Sequence, residues 1–77
     1  MARVTVRLTG WAAKTLGPRL ETDADTIEEL LERLVEAGIA REHLRHLVAV
    51  RKGAPAAPQE RLDDGETVTV FPLMSGG

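Results

Sequence analysis

One stretch of this chain has the periodicity of a helix, and its apolar side requires the remaining residues to form a layer that covers it. Thr26 and Glu29 have the spacing of a capping box, and Gly38 is a natural helix stop. Between them, apolar residues recur every three or four positions along one side: Ile27, Leu30, Leu31, Leu34 and Val35. The sequence therefore predicts one main helix over residues 26–38, with an apolar side that another layer must cover.

The other side of the predicted helix is charged. It carries four glutamates and one arginine: Glu28, Glu29, Glu32, Arg33 and Glu36. Glu29 and Arg33 have the i,i+4 spacing of an ion pair, whereas Glu28, Glu32 and Glu36 repel one another at that spacing. An acidic stripe of this kind suits a basic partner, but a solvated helix face is the commoner explanation.

Short strand-like runs supply the covering layer. Residues 2–8 and 67–71 alternate strictly between apolar and polar side chains, which indicates half-buried strands. Residues 19–22 predict a weak strand paired with the first, and the apolar run 47–50 predicts a central strand. Residues 54–58 contain too many prolines for an interior strand. One helix against a small mixed sheet places the chain in the α+β class.

Composition excludes several classes of protein and site. The chain has no cysteine, which rules out disulfides, thiolate metal sites and cysteine nucleophiles. Its net charge of −2 gives no case for binding nucleic acid or an anionic membrane, and no apolar run approaches a membrane span. The first residues do not resemble a signal peptide, so we expect one cytoplasmic domain over residues 1–77.

Ligand-binding motifs are equally sparse. His43 and His46 lie three residues apart beside Glu42, but no clear third ligand accompanies them, so we expect no metal site. No glycine-rich loop has the spacing that cradles phosphates, so we expect no cofactor bound by this chain itself.

The sequence ends in Ser75-Gly76-Gly77, directly after a strand-like run. Two glycines add no apolar area to a core, but they form a thin and pliable segment that fits a narrow channel. Residues 72–77 are therefore predicted to be a flexible reactive tail, with the carboxylate of Gly77 at its tip. A frayed terminus without function is the ordinary alternative.

The order hairpin, helix, strand and two local motifs together carry a resemblance to a known family. The motifs are the turn Leu62-Asp63-Asp64-Gly65-Glu66 and the ending Phe71-Pro72-Leu73-Met74-Ser75-Gly76-Gly77. Over essentially its whole length the chain resembles the ubiquitin-like β-grasp sulfur carriers, above all the small subunit of molybdopterin synthase, with the thiamine-pathway sulfur carrier as a more distant relative. It departs from the common family pattern at Val50-Arg51-Lys52-Gly53 and at Leu73 and Met74.

The resemblance implies a carrier that is not an enzyme by itself. A partner of the ubiquitin-activating type, using ATP and Mg²⁺, would adenylate Gly77, and a sulfur donor would convert it to a thiocarboxylate. Ser75 and Gly76 would then thread the channel of a large synthase subunit that uses the sulfur to make molybdopterin for the molybdenum or tungsten cofactor. Three alternatives stay open: a modifier joined to proteins through Gly77, a carrier for thiamine, cysteine or tRNA thiolation, and a plain β-grasp interaction module.

A candidate partner surface follows from the alternation of the last strand. If its two valines face the helix, Phe71 falls on the uncovered face of the sheet. In the β-grasp arrangement the first and last strands are neighbours, which brings Phe71 near Arg3 or Arg7. With Leu73 and Met74, these residues form the predicted partner-binding patch. The alternative is that Phe71 folds over the sheet edge and completes the core.

Overall fold

Five strands and three helical segments make up residues 1–73, the part of the chain that the computed structural model describes. The strands are β1 (Arg3–Leu8), β2 (Arg19–Asp23), β3 (Leu47–Arg51), β4 (Ala54–Pro55) and β5 (Thr67–Pro72). The helices are α1 (Gly10–Leu16), α2 (Ile27–Ala37) and a 3₁₀ helix, Arg41–His46. This is the α+β, ubiquitin-like β-grasp architecture that the sequence predicts.

The strands form one mixed sheet in the order β2-β1-β5-β3-β4. The last strand, β5, lies in the middle, where it runs parallel to β1 and antiparallel to β3. The apolar run 47–50 forms β3, which is interior as predicted, but the central place belongs to β5. The proline-rich segment supplies only the two-residue edge strand β4, because proline has no N–H to donate to a second neighbour.

Alternate residues of β1 and β5 enter the core together with the apolar side of α2. The fully buried set contains the aliphatic side chains of all three elements: Val4, Val6, Val68, Val70, Ile27, Leu30 and Leu34. The predicted face of each strand is therefore confirmed. In the stripe of α2, Leu31 and Val35 are only half-buried, which places them at the margin of the contact.

The N-terminus of α2 has the predicted cap. Thr26 Oγ1 accepts a hydrogen bond from the Glu29 N–H at 3.2 Å, and Glu29 Oε1 accepts one from the Asp25 N–H at 2.7 Å. The predicted Glu29–Arg33 ion pair is wrong, because the Glu29 carboxylate turns back to the cap. Arg33 instead pairs with Glu36, with N–O distances of 3.1 and 3.2 Å.

A two-residue turn joins β3 to β4 at the point where the sequence departs from the common family pattern. Arg51 pairs with Ala54 across the hairpin, and the residues between them, Lys52 and Gly53, have φ angles of 52° and 82°. Positive φ at both central positions is the geometry of a type I′ turn, whose twist matches that of paired strands. The altered sequence therefore still makes a tight hairpin.

Candidate functional site

The end of β5 is held on both edges of the strand. On one side the Thr9 N–H donates to the Val70 carbonyl at 3.3 Å, and on the other the Leu73 N–H donates to the His46 carbonyl at 2.7 Å. Pro72 is still opposite Leu47 in the β3 ladder. Pro72, predicted to begin the tail, thus belongs to the sheet, and Leu73 is tied by its N–H to the residue before β3. Outside the described residues lie four predicted site residues: Met74, Ser75, Gly76 and Gly77.

Phe71 lies on the face of the sheet that the helices leave uncovered. Its neighbour in sequence, Val70, is fully buried in the core and pairs with Ala49. Phe71 therefore points the other way, where its cross-strand partner is Val48, and both side chains are half-buried. Leu73, further along the chain, is 61% exposed. The alternative in which Phe71 completes the core is not what the structure has.

Two valines on this face were missed by the sequence analysis as candidate site residues. Val48 and Val50 of β3 are half-buried and stand opposite Phe71 and Thr69. The signal was present, since an unbroken apolar run such as residues 47–50 must place apolar side chains on both faces of its strand. The uncovered face therefore carries an apolar patch formed by Val48, Val50 and Phe71.

The strand register separates the two arginines proposed to accompany Phe71. Arg7 is opposite Thr69, two residues before Phe71 on the same face. Arg3 lies at the other end of β1, where its carbonyl accepts from the Gly65 N–H at 2.7 Å, in the turn before β5. Arg3 also pairs with Asp23 at 3.4 Å. Arg7 is thus the arginine near the predicted patch, and Arg3 is engaged at the opposite end of the sheet.

The turn before β5 is fixed by a cluster of charged side chains. Arg51 donates to both carboxylate oxygens of Glu66, at 2.6 and 2.8 Å, and these two side chains are only 14% and 6% exposed. These hydrogen bonds lower the pKa of Glu66 below its ordinary value and raise the pKa of Arg51. Glu66 also accepts from the Asp63 N–H at 2.9 Å, so the cluster holds the entry into β5.

Residues 1–73 contain neither a membrane-spanning helix nor a metal-binding cluster. No helix there is long and apolar enough to cross a membrane. No three of the described histidines and carboxylates lie together as metal ligands would. His43 instead contacts Trp11 edge to face, with 5.4 Å between the ring centroids.

The sequence model of the ThiS family matches residues 6–77. The chain belongs to the ThiS family. ThiS proteins are ubiquitin-like β-grasp sulfur carriers, so the family predicted from the turn and the C-terminal motif is confirmed. A comparison with curated proteins finds no match.

Solved structures share this ThiS-family fold over nearly the whole chain. SAMP1 from Haloferax volcanii is 26% identical with a TM-score of 0.78, and the alignment covers 99% of this chain and 100% of SAMP1. A putative molybdopterin converting factor subunit 1 from Pyrococcus furiosus is 19% identical, with a TM-score of 0.75 and coverages of 96% and 100%. One chain in a complex of subunits 1 and 2 of the Helicobacter pylori molybdopterin-converting factor is 22% identical, with a TM-score of 0.70 and coverages of 97% and 99%.

Proposed function

We propose that this ThiS-family protein carries sulfur as a thiocarboxylate on Gly77, for use in molybdopterin synthesis. The observation that supports this most is the family match over residues 6–77, which includes the Gly76-Gly77 ending. The placement of β5 adds support, because a strand bonded on both edges gives the residues after it a fixed point of departure. The chain is then a carrier in a sulfur-transfer complex, acting in the cytoplasm.

The chemistry needs a partner enzyme, because a carboxylate is a poor electrophile. The carboxylate oxygen of Gly77 attacks the α-phosphorus of ATP, and pyrophosphate leaves with Mg²⁺. Hydrosulfide released by the donor then attacks the acyl carbon, AMP departs with the original carboxylate oxygen, and loss of the S–H proton leaves the thiocarboxylate. The partner supplies the bases, the Mg²⁺ and the phosphate contacts, while this chain supplies the reacting carbon and its position.

The preference for the molybdopterin pathway rests on the two solved structures named as molybdopterin-converting factor subunits, one of them in complex with its second subunit. By analogy, the acceptor is a large synthase subunit whose channel receives Ser75 and Gly76. Carriers for thiamine, cysteine or tRNA thiolation use the same activated terminus, so the identity of the acceptor distinguishes them.

A second candidate function is protein modification. SAMP1, described as a small archaeal modifier protein, matches this chain over its whole length. A modifier shares the adenylation of Gly77 but passes its acyl group to lysine amines of other proteins. An inert β-grasp interaction module would not be adenylated at all.

One experiment separates the three possibilities. The protein is incubated with its cognate activating enzyme, ATP, Mg²⁺ and a sulfur donor, and its intact mass is measured. A sulfur carrier gains the mass difference of one sulfur for one oxygen, which fragmentation locates at Gly77. Lysine conjugates without a thiocarboxylate support the modifier, and an unchanged mass with no pyrophosphate release overturns both.

A further inference from the structure

Two arginines stand opposite each other on the uncovered face of the sheet. Arg7 of β1 pairs in register with Arg19 of β2, and both side chains are exposed. The next pair along, Val6 and Leu20, faces the core, so the arginine pair faces away from it. Like charges directly opposite one another destabilise a sheet. The Arg7–Arg19 pair therefore does not stabilise the folded protein.

Several other arginines of the protein are paired with carboxylates. Arg3, four residues before Arg7, lies 3.7 Å from Glu21 and 3.4 Å from Asp23. Three other arginines also have carboxylate partners: Arg33, Arg41 and Arg51. Within residues 1–73, neither Arg7 nor Arg19 has a carboxylate at ion-pair distance. The two carboxylates of β2, Glu21 and Asp23, are paired with Arg3.

The two arginines line a shallow concavity with Thr5, Pro18 and Thr67, which we call the Arg7–Arg19 surface. Thr5 and Thr67 add hydroxyl groups to its lining. Next to it along β5, Thr69 is opposite Arg7, and beyond lies the apolar patch of Val48, Val50 and Phe71. A basic and an apolar area thus adjoin on one face, beside the strand that leads to the C-terminus.

We propose that the Arg7–Arg19 surface binds an acidic segment of the protein that acts on the C-terminus of this chain. This inference rests on the proposed function, which requires a partner to hold the residues after β5. Such a partner must approach the exit of β5, and the uncovered face beside that exit is open. Carboxylate side chains of the partner would form ion pairs with the two guanidinium groups, which have no carboxylate partner within residues 1–73.

Charge complementarity favours a protein segment over a nucleic acid. The whole chain carries a net charge of −2, so it has no general attraction for a polyanion such as a nucleic acid. Two arginines beside an apolar patch match a segment that alternates acidic and apolar side chains. Exposed ion pairs of this kind mainly increase the association rate and select the correct partner, as a carrier that must meet an activating enzyme repeatedly requires.

The first test uses a hexaglutamate peptide as the probe, with hexalysine as its control. In a titration of the ¹⁵N-labelled full chain, we expect hexaglutamate to shift the amide resonances of Arg7, Arg19 and Thr69. The double variant Arg7→Glu/Arg19→Glu should lose these shifts. The matched control is Arg61→Glu, since Arg61 is exposed and has no ion pair in the described part of the chain. Equal shifts for both peptides, or shifts centred elsewhere, overturn the proposal.

The second test measures pyrophosphate release with the cognate activating enzyme and ATP. Reversing both charges should raise the KM for the carrier about tenfold, with kcat retained. Added salt should raise the KM of the wild type far more than that of the double variant. The milder variant Arg7→Gln/Arg19→Gln guards against a folding defect, which circular dichroism would reveal. An unchanged KM in both double variants overturns the proposal, whatever the peptide does.

The two proposals fail in different ways. If the wild type is never adenylated, the proposed function is wrong, and the peptide titration alone then decides whether the surface binds acidic segments. If the wild type is adenylated normally but the charge reversals have no effect on KM, the proposed function stands and the docking surface does not.

Discussion

Gly10 and Pro72 lie so near each other that a side chain at residue 10 has no room. A Cβ on Gly10 would sit 2.8 Å from Cγ and 3.1 Å from Cδ of the Pro72 ring, and Gly10 has a φ of +61°. The first residue of α1 thereby touches the last residue of β5. A proline ring has few ways to yield, so this contact fixes where the chain leaves the sheet.

Gly10→Ala should therefore lower the free energy of unfolding by more than the strain of alanine at a positive φ accounts for. Alanine at positive φ costs about 1–2 kcal/mol, and the collision with Pro72 adds to that. We expect a lower midpoint of urea unfolding and, because Pro72 must shift, a slower adenylation of Gly77 by the activating enzyme.

Gly53→Ala is the matched control for this prediction. Gly53 has a φ of +82°, but nothing lies within 4 Å of a Cβ placed there. Gly53→Ala should lower the midpoint of urea unfolding through backbone strain alone and leave the rate of adenylation unchanged. Equal effects of the two substitutions would mean that the contact between Gly10 and Pro72 has no role at the exit of β5.

A second set of variants should show that the tail is required for function and the core for stability. Deleting Gly77 or substituting Gly76→Val should abolish adenylation or sulfur delivery, since the reacting carbon is lost or the channel is blocked. Neither change should alter the thermal unfolding midpoint by much. Leu34→Ala, which opens a cavity under a fully buried side chain, should cost about 2–5 kcal/mol. A tail deletion that unfolds the domain would contradict the assignment of a reactive end.

Phe71→Ala tests the apolar part of the uncovered face. Because Phe71 is half-buried against Val48, its loss should lower stability by less than the about 3–5 kcal/mol typical of a core phenylalanine. Binding to the activating or acceptor enzyme should weaken by about 2 kcal/mol, as for an aromatic hot spot. Calorimetric titration and thermal unfolding measure the two effects. The reverse outcome, a large stability loss with binding retained per folded molecule, would remove the patch.

The Arg51–Glu66 pair should make stability depend on pH in the acid range. Arg51 holds the pKa of Glu66 below its ordinary value of 4.5, so the folded protein binds the proton less readily than the unfolded chain does. This contribution is complete above the ordinary value and is lost as the pH falls through the lowered pKa. Glu66→Gln should therefore be less stable than wild type near neutral pH, with the difference shrinking as the pH falls.

Urea unfolding of both proteins at a series of pH values measures this difference. Glu42→Gln serves as the control, because Glu42 is exposed and has no ion pair within residues 1–73. A difference between wild type and Glu66→Gln that stays constant over the acid range would show that the charge of Glu66 contributes nothing.

Local patterns were sufficient for α2, for the four longer strands and for the core faces of β1 and β5. Strict alternation in residues 3–8 and 67–71 places the valines of β1 and β5 in the core, because side chains of a strand point to opposite sides in turn. Thr26 caps α2 for a reason equally local, since its hydroxyl reaches an N–H three residues on. The predicted Glu29–Arg33 ion pair does not form, because the spacing permits several partners and the Asp25 N–H donates a hydrogen bond to the Glu29 carboxylate.

The sequence by itself determined the class of fold, the family and the core faces, since each depends on periodicity or on a contiguous motif. Only the tertiary structure decided which strands adjoin and in what register. That register sets Arg7 opposite Arg19, Glu66 against Arg51, and Gly10 under Pro72. These partners are distant in the chain, and no local pattern encodes their meeting. They meet because the register that pairs the strands with their valines against α2 also fixes which residues are opposite one another on the other face.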